Sequence, residues 1–439
     1  MQVKIEKSGI NGEGIAYIDR KPVFIDGVLP YEIAEIKITE THDKYAKGEV
    51  LRLIKPSPFR IEAPCKVQSA CGGCALMIAS VDHQEKLKID NLKQALTKYM
   101  GTFDFRRVKP IVSNPVPLGY RNSFKLPVKS EKGKLVSGLY SANTNHFVKA
   151  DPCLIHAPAL EDVKNRILST LDAHQQEAFS FESLQGIRYL ILRGFDKAYQ
   201  LTLIIGTNVL PQALIDDLMR IEGLVSLYVS VNTDKHSHDP FGPMVLHKAG
   251  TKTIPVVLDG LRYALSPTAF FQLNTVVAST IFQKIVSLIK PQDVVLDAYC
   301  GVGAMSLPIA QKAKNVIGLE LNRESVKAAQ ENAELNGIRN VRFAHGDVQK
   351  ILPEILVSEK ITTLVMDPPR SGLSDGMIET LMKAEIDHLI YVSCNPSTLA
   401  KNLAELKKKY EIVSLTPYDL FTQSPLLEVV CDLKLIRSV

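Results

Sequence analysis

At 439 residues, 46% of them hydrophobic, the chain is too long for one ordinary domain, and it can fill two or three cores without disulfides. A net charge of +5 permits an RNA partner without demanding one, because local patches decide. No apolar run reaches the roughly eighteen residues a membrane helix needs, and MQVKIEKSG lacks the apolar core of a signal peptide. A cytoplasmic protein is therefore expected. Its seven cysteines are read first as ligands or catalysts, not as a disulfide framework.

Residues 1–56 alternate apolar and polar positions in VKIEK, GIAYI, PVFID, EIAEIKI and GEVLRLI, separated by turn residues. The pattern predicts a five-stranded barrel of OB-like size. Lys4, Lys7, Lys37, Lys44, Lys47 and Arg52 decorate it, as a nucleic-acid-binding barrel requires and as any solvated surface allows. Residues 57–105 carry Cys65-x5-Cys71-Gly-Gly-Cys74 on a loop, then a helix-like stretch over 83–100. Strand patterns such as FKLPV, LVSGLYS, YLILRGF and YQLTLIIGT, with helices near 158–175 and 211–221, make 106–275 an α+β domain.

From 276 to 439 strand and helix patterns alternate: VVLDAY, VIGLEL, TTLVMD and LIYVSC, each followed by a helical run. That rhythm predicts a doubly wound parallel sheet, with EIVSLTPYDLF and LLEVVCDLKLI as an antiparallel edge pair. Ligands of such sheets bind beyond the carboxyl ends of the strands. Asp297-Ala-Tyr-Cys-Gly-Val-Gly303 ends the first strand there, and Tyr299, Gly301 and Gly303 form a turn that lets backbone approach a ligand. Glu320 ends the second strand, placed for ribose hydroxyls, and Asp347 ends the third, near an adenine amino group. The glycine spacing does not meet the dinucleotide fingerprint, so S-adenosylmethionine fits better than a nicotinamide cofactor.

Asp367-Pro-Pro-Arg370 ends the fourth strand; its two prolines stiffen a loop able to present Asp367 and Arg370 to a flat substrate, or simply make a rigid turn. Cys394, in Ser393-Cys394-Asn395-Pro396, ends the fifth, where a nucleophile fits better than a structural thiol. Uracil C5 is too weak a nucleophile to take a methyl group directly. A thiolate that adds at C6 places electron density on C5, and a carboxylate such as Glu428 can then remove the C5 proton. Cys65, Cys71, Cys74 and the distant Cys153 can ligate zinc or an iron–sulfur cluster, and the Gly72-Gly73 pair favours the cluster.

With these motifs in place the chain resembles the bacterial RNA uracil-C5 methyltransferase family, the TrmA/RlmC/RlmD group, over nearly its whole length. The likeness is strongest to the 23S rRNA branch, built from a TRAM barrel, a four-cysteine site, a central domain and a Rossmann-like class I methyltransferase domain. The resemblance implies Cys394 as nucleophile and Glu428 as base. It implies S-adenosylmethionine on Gln272, Tyr299, Glu320 and Asp367, with Asp347 joining them. It also implies a [4Fe-4S] cluster on Cys65, Cys71, Cys74 and Cys153, Phe270 near the target base, and 23S rRNA as partner, with no membrane and no obligate protein partner. Phe270 and Phe271 can equally be core residues. Two departures stand out: Ala304 where many relatives have asparagine, and a segment from Asp419 to Glu428 without the proline and histidine usual there. A radical methylthiotransferase is disfavoured because Cys65-x5-Cys71 has the wrong spacing, and a non-catalytic RNA-binding protein because Cys394, Glu428 and Asp367 are intact.

Overall fold

A computed structural model describes residues 1–141, 144–237 and 239–437. The chain forms two compact units, one from Met1–Pro117, Gln283–Tyr299 and Val348–Val439, the other from Leu118–Phe282 and Cys300–Asp347.

The first unit opens with a six-stranded barrel-like sheet where five strands are predicted. The predicted first strand is split. Gln2–Lys4 pairs with Ile33–Thr41, whereas Lys7–Ser8 pairs with Gly14–Ile18. At the break Ile5 donates its N–H to the Glu32 carbonyl, and Glu6 donates to that of Ile15. One stretch of chain thus serves two neighbours, and alternation in the sequence does not reveal the kink. Val3, Ile5, Val23, Ile25 and Ile36 fill the barrel core. The helix Val81–Met100 follows, two residues longer at its start than the pattern predicts and stopped at Gly101.

The same unit holds five strands in the order Val294–Ala298, Thr363–Met366, His388–Ser393, Glu428–Leu435, Tyr410–Tyr418. The first three run parallel, and Glu428–Leu435 inserts antiparallel between His388–Ser393 and Tyr410–Tyr418. The strands are buried on both faces, which explains why they read as continuous apolar runs. Asn395 starts the helix Pro396–Leu406 by accepting a hydrogen bond from the Ser397 N–H, and Ser374 starts Asp375–Lys383 likewise through Met377.

In the second unit a seven-stranded sheet runs from Val245–Gly250 at one edge, through Ile187–Phe195 and Ser123–Glu131, to Phe147–Lys149. Helices Pro158–Ala173 and Gln212–Met219, close to the predicted spans, pack on one face through Ile167, Leu171, Leu214 and Leu218. The hairpin of Ile254–Leu258 with Leu261–Leu265 is not among the predicted elements. Asn315–Glu320 pairs parallel with Val341–His345. No helix among the described residues is long and apolar enough to cross a membrane.

Candidate active site

In the first unit the strand register brings four of the candidate side chains to one end of the sheet. Ala298 is level with Met366, and Met366 with Tyr391. Tyr299 and Asp367 therefore emerge side by side, and the Asp367 N–H reaches the Ala298 carbonyl at 3.5 Å. Ser393 pairs with Val429 in the antiparallel ladder. Continued by one step, the same register sets Cys394 opposite Glu428, whose carboxyl raises the thiol. Tyr299 holds a left-handed backbone with φ +67°, a rare conformation for a non-glycine residue and common at functional sites.

The electrostatics of this strand end are strained. Burial pushes the Cys394 thiol up to about 11, and the Glu428 and Asp367 carboxyls add to that while Arg370 opposes it. Burial likewise pushes Asp367 up to about 7. Glu428 is raised well above the carboxylate range, first by burial and then by Asp367. Its Oε2 is buried with no hydrogen-bond partner among the described residues. Two carboxyls and a thiol so placed cannot all ionise together. Cys394 also stands just before a helix N-terminus, which favours a thiolate once formed. The exposed Arg370 is held by its carbonyl, which accepts from Asn395 Nδ2 and Thr398 Oγ1, each at 3.3 Å.

The segment before Glu428 is clamped by contacts that the sequence does not announce. Lys88 Nζ donates to Asp419 Oδ1 at 2.5 Å and to the Phe421 carbonyl at 3.1 Å. Gln84 and Gln423 exchange hydrogen bonds at 2.9 Å, and Asn114 Nδ2 donates to Thr422 Oγ1. Gln84 and Lys88 lie on the buried face of Val81–Met100 together with Asn91. A polar stripe at i, i+4 and i+7 on an apolar helix face is the signal that could have found them. These side chains fix Thr422 and Gln423.

In the second unit the turn closes on Glu320. Its Oε2 accepts from the Gly301 N–H at 3.1 Å and its Oε1 from Asn322 at 2.8 Å, leaving lone pairs on both oxygens. Gly303, φ +81°, is required: a Cβ there would meet the Phe343 ring at 3.2 Å. A Cβ at Gly301, φ +56°, would meet nothing, so that position is demanded by backbone conformation. Asp347 is exposed and follows Gly346, whose N–H donates to the Glu320 carbonyl. Gln272 is held through its carbonyl by Asn122 Nδ2 at 2.9 Å. Phe270 is 70% exposed while Phe271 is buried, so only the second of that pair is a core residue.

Cys65, Cys71 and Cys74 surround the short helix Gln68–Cys71 and the left-handed Gly72. Cys153 belongs to the second unit. Thiols on a tight loop suit a cluster chemically. Even so, among the described residues no three His, Cys, Asp or Glu side chains are grouped as a metal ion requires. The expected convergence of four thiolates is therefore not seen, and no chemical step is derived from it.

Parallel strands with helices between them, carrying a thiol and carboxyls at their carboxyl ends, define an α/β protein of the doubly wound class. The family described as tRNA (Uracil-5-)-methyltransferase matches residues 244–436, and the TRAM domain matches residues 1–51. An uncharacterized RNA methyltransferase of Listeria innocua is 33% identical, covering 97% of this chain and 95% of its own. One from Halalkalibacterium halodurans is 32% identical, covering 95% and 92%. The crystal structure of Pyrococcus abyssi tRNA (uracil-54, C5)-methyltransferase in complex with S-adenosyl-L-homocysteine superposes with a TM-score of 0.80 at 23% identity, covering 99% of this chain and 100% of that one. The chain belongs to the RNA uracil-5-methyltransferase family, with an N-terminal TRAM domain and a Rossmann-like methyltransferase fold.

Proposed function

We propose that this protein transfers a methyl group from S-adenosylmethionine to C5 of a uridine in 23S rRNA through a covalent Cys394–C6 adduct. The observation that carries the reading is the register that sets Cys394 across from Glu428, beside Asp367, at one strand end. We assign the cofactor to Gln272, Tyr299, Gly301, Gly303, Glu320, Asp347 and Asp367, and the base to the neighbourhood of Phe270 and Arg370. When bound, the cofactor supplies an electrophilic methyl group.

The Cys394 thiol gives up its proton to solvent and the sulfur bonds to C6, while the C5=C6 electrons move onto the ring as an enolate. Methylation leaves both a methyl group and a proton on C5. Glu428 takes that proton, the C5–H electrons restore the C5=C6 bond, and the sulfur leaves with the C6–S pair. A carboxyl raised well above its ordinary range is a stronger base once ionised, which suits it to this step. The flat target must present C6 to sulfur, so the uridine is flipped out of its stack.

The division into 1–56, 57–105, 106–275 and 276–439 is kept as part of this proposal, as are RNA contacts by the barrel and by Arg106, Arg107, Arg121, Lys125 and Lys129. So are the cytoplasmic setting and a [4Fe-4S] cluster on Cys65, Cys71, Cys74 and Cys153. Iron and sulfide analysis of protein purified without oxygen checks the cluster; about four iron atoms per chain is the expected result and zinc alone refutes it. The function is tested by offering labelled cofactor with unmodified 23S rRNA and tRNA, then digesting to nucleosides. Labelled 5-methyluridine from rRNA alone is expected; product from tRNA alone moves the substrate, and none from either overturns the proposal.

A further inference from the structure

Helices cover one face of the second unit's seven-stranded sheet, and on the other face the hairpin Ile254–Leu258 with Leu261–Leu265 packs against Ile187–Phe195 and Ala198–Ile205 and buries Ile191 and Ile204. On the strands nearest its Phe147–Lys149 edge, the opposite face carries Tyr189 level with Pro127, Ile191 level with Lys125, and Tyr140 level with Phe147. At the end of this face Arg188 is surrounded by rings: its guanidinium carbon lies 5.5 Å from the centre of Phe179, 5.2 Å from Phe181 and 5.8 Å from Tyr189. Arg188 donates to the Asn232 carbonyl, Asn232 Oδ1 and the Asp234 carbonyl, at 2.8 to 2.9 Å. All of these acceptors are neutral oxygens, and among the described residues the guanidinium is fixed in place without an ion-pair partner. Lys235 Nζ sits 6.0 Å over the Phe181 ring, and Lys125 Nζ 5.1 Å over Phe241. Phe181 is 47% exposed and Tyr140 38%.

We propose that this face is a stacking platform for single-stranded RNA, in which unpaired bases lie on Phe181 and Tyr140 while Arg188 and Lys235 meet the backbone. The inference rests on the RNA reading above and adds a surface remote in sequence from the TRAM barrel. Exposed aromatic rings cost solvation unless something covers them. Their interleaving with uncompensated cations fits a polyanion whose bases have free π-faces. Duplex RNA presents no such faces, so the platform discriminates in favour of unpaired segments. Lys125 and Lys149 have carboxylates at 3.9 and 3.6 Å, but exposed pairs of that length are weak and yield to phosphate.

The experiment is fluorescence anisotropy of the full chain with a labelled oligouridine of about twelve nucleotides and with a duplex of equal length. Phe181→Ala is expected to weaken oligouridine binding roughly tenfold with duplex binding unchanged, and Phe181→Tyr to restore it. Because Phe181 is half exposed, its melting temperature should stay put; if it falls, ultraviolet cross-linking of wild type decides, with adducts in 179–189 in favour and adducts only elsewhere against. Equal binding by wild type and Phe181→Ala overturns the platform while leaving the RNA reading intact. No binding of either RNA by wild type overturns that reading first. A concentration-dependent dimer abolished by Phe181→Asp assigns the face to a second copy of the chain and also overturns the platform.

Discussion

Two clusters of buried ionisable groups, one in each unit, respond to burial in opposite ways. In the second unit Glu161 accepts from His156 Nδ1 at 2.6 Å and from Lys164 Nζ at 2.5 Å, and Lys164 also reaches Asp151 at 3.1 Å. Burial would raise the Glu161 carboxyl, yet the hydrogen bonds from His156 and Lys164 win and hold it below its ordinary range. At Cys394, Asp367 and Glu428 burial wins: Arg370 only partly opposes it at the thiol, and all three groups are pushed up. The first cluster is satisfied and serves stability. The second is held in its unfavourable state by the surrounding sheet, as the proton transfers proposed above require.

Removing one member from each cluster separates the two roles. Cys394→Ala should lower methyl transfer by roughly 10⁴-fold or more, and leave no RNA-linked protein band in denaturing gels, while the melting temperature hardly changes. Lys164→Ala should do the reverse in kind, costing about 3–5 kcal/mol in urea unfolding because Glu161 is left buried beside a neutral partner. A Lys164→Ala protein as stable as wild type would place both clusters in one class.

The clusters also predict opposite pH trends. A folded carboxyl raised to about 7 keeps its proton where the unfolded chain has lost it, so Asp367 favours folding at low pH and that advantage is lost as pH climbs through 7. Asp367→Asn, which mimics the protonated form, should gain about 4 kcal/mol at pH 8 and nothing below pH 4. Glu161 is depressed, so its contribution is present above the ordinary carboxyl range and lost as pH falls through its folded value. His156, lowered first by burial, is held neutral and acts in the same direction. Glu161→Gln should therefore lose most at neutral pH, where Asp367→Asn gains. Melting curves between pH 4 and 8 check both, and parallel curves would remove the distinction.

The strand-end residues were legible in the sequence because each ends an apolar run, and a parallel sheet sends all such ends the same way. Tyr299, Asp367 and Cys394 needed only that rule. Glu428 needed the insertion of its strand antiparallel beside His388–Ser393, which the tail pattern allowed but did not specify. The Lys88–Asp419 and Gln84–Gln423 contacts were invisible: they join residues more than 300 positions apart, and a lysine in a helix is normally solvated. The barrel's split first strand was hidden for a related reason, since its residues alternate correctly and only the partner changes. Four cysteines set a ligand inventory, but spacing alone does not bring their sulfurs together.

The finest test of the contrast concerns how much of the Cys394 shift comes from its neighbours and how much from burial. Burial, with help from the Glu428 and Asp367 carboxyls, pushes the thiol up to about 11. The Glu428 carboxyl adds to the rise, because a negative charge across the ladder opposes thiolate formation. Glu428→Gln removes the charge and keeps the packing. Alkylation of the Cys394 peptide by iodoacetamide, followed by mass spectrometry from pH 7.5 to 10, should then be faster than in wild type at every pH, with its midpoint lowered. Burial is unchanged, so the midpoint should still stand above that of an exposed thiol. An unchanged profile would mean that Glu428 does not face the sulfur, which would remove the base from its proposed place. A profile restored fully to that of an exposed thiol would mean that repulsion, and not burial, poises the nucleophile.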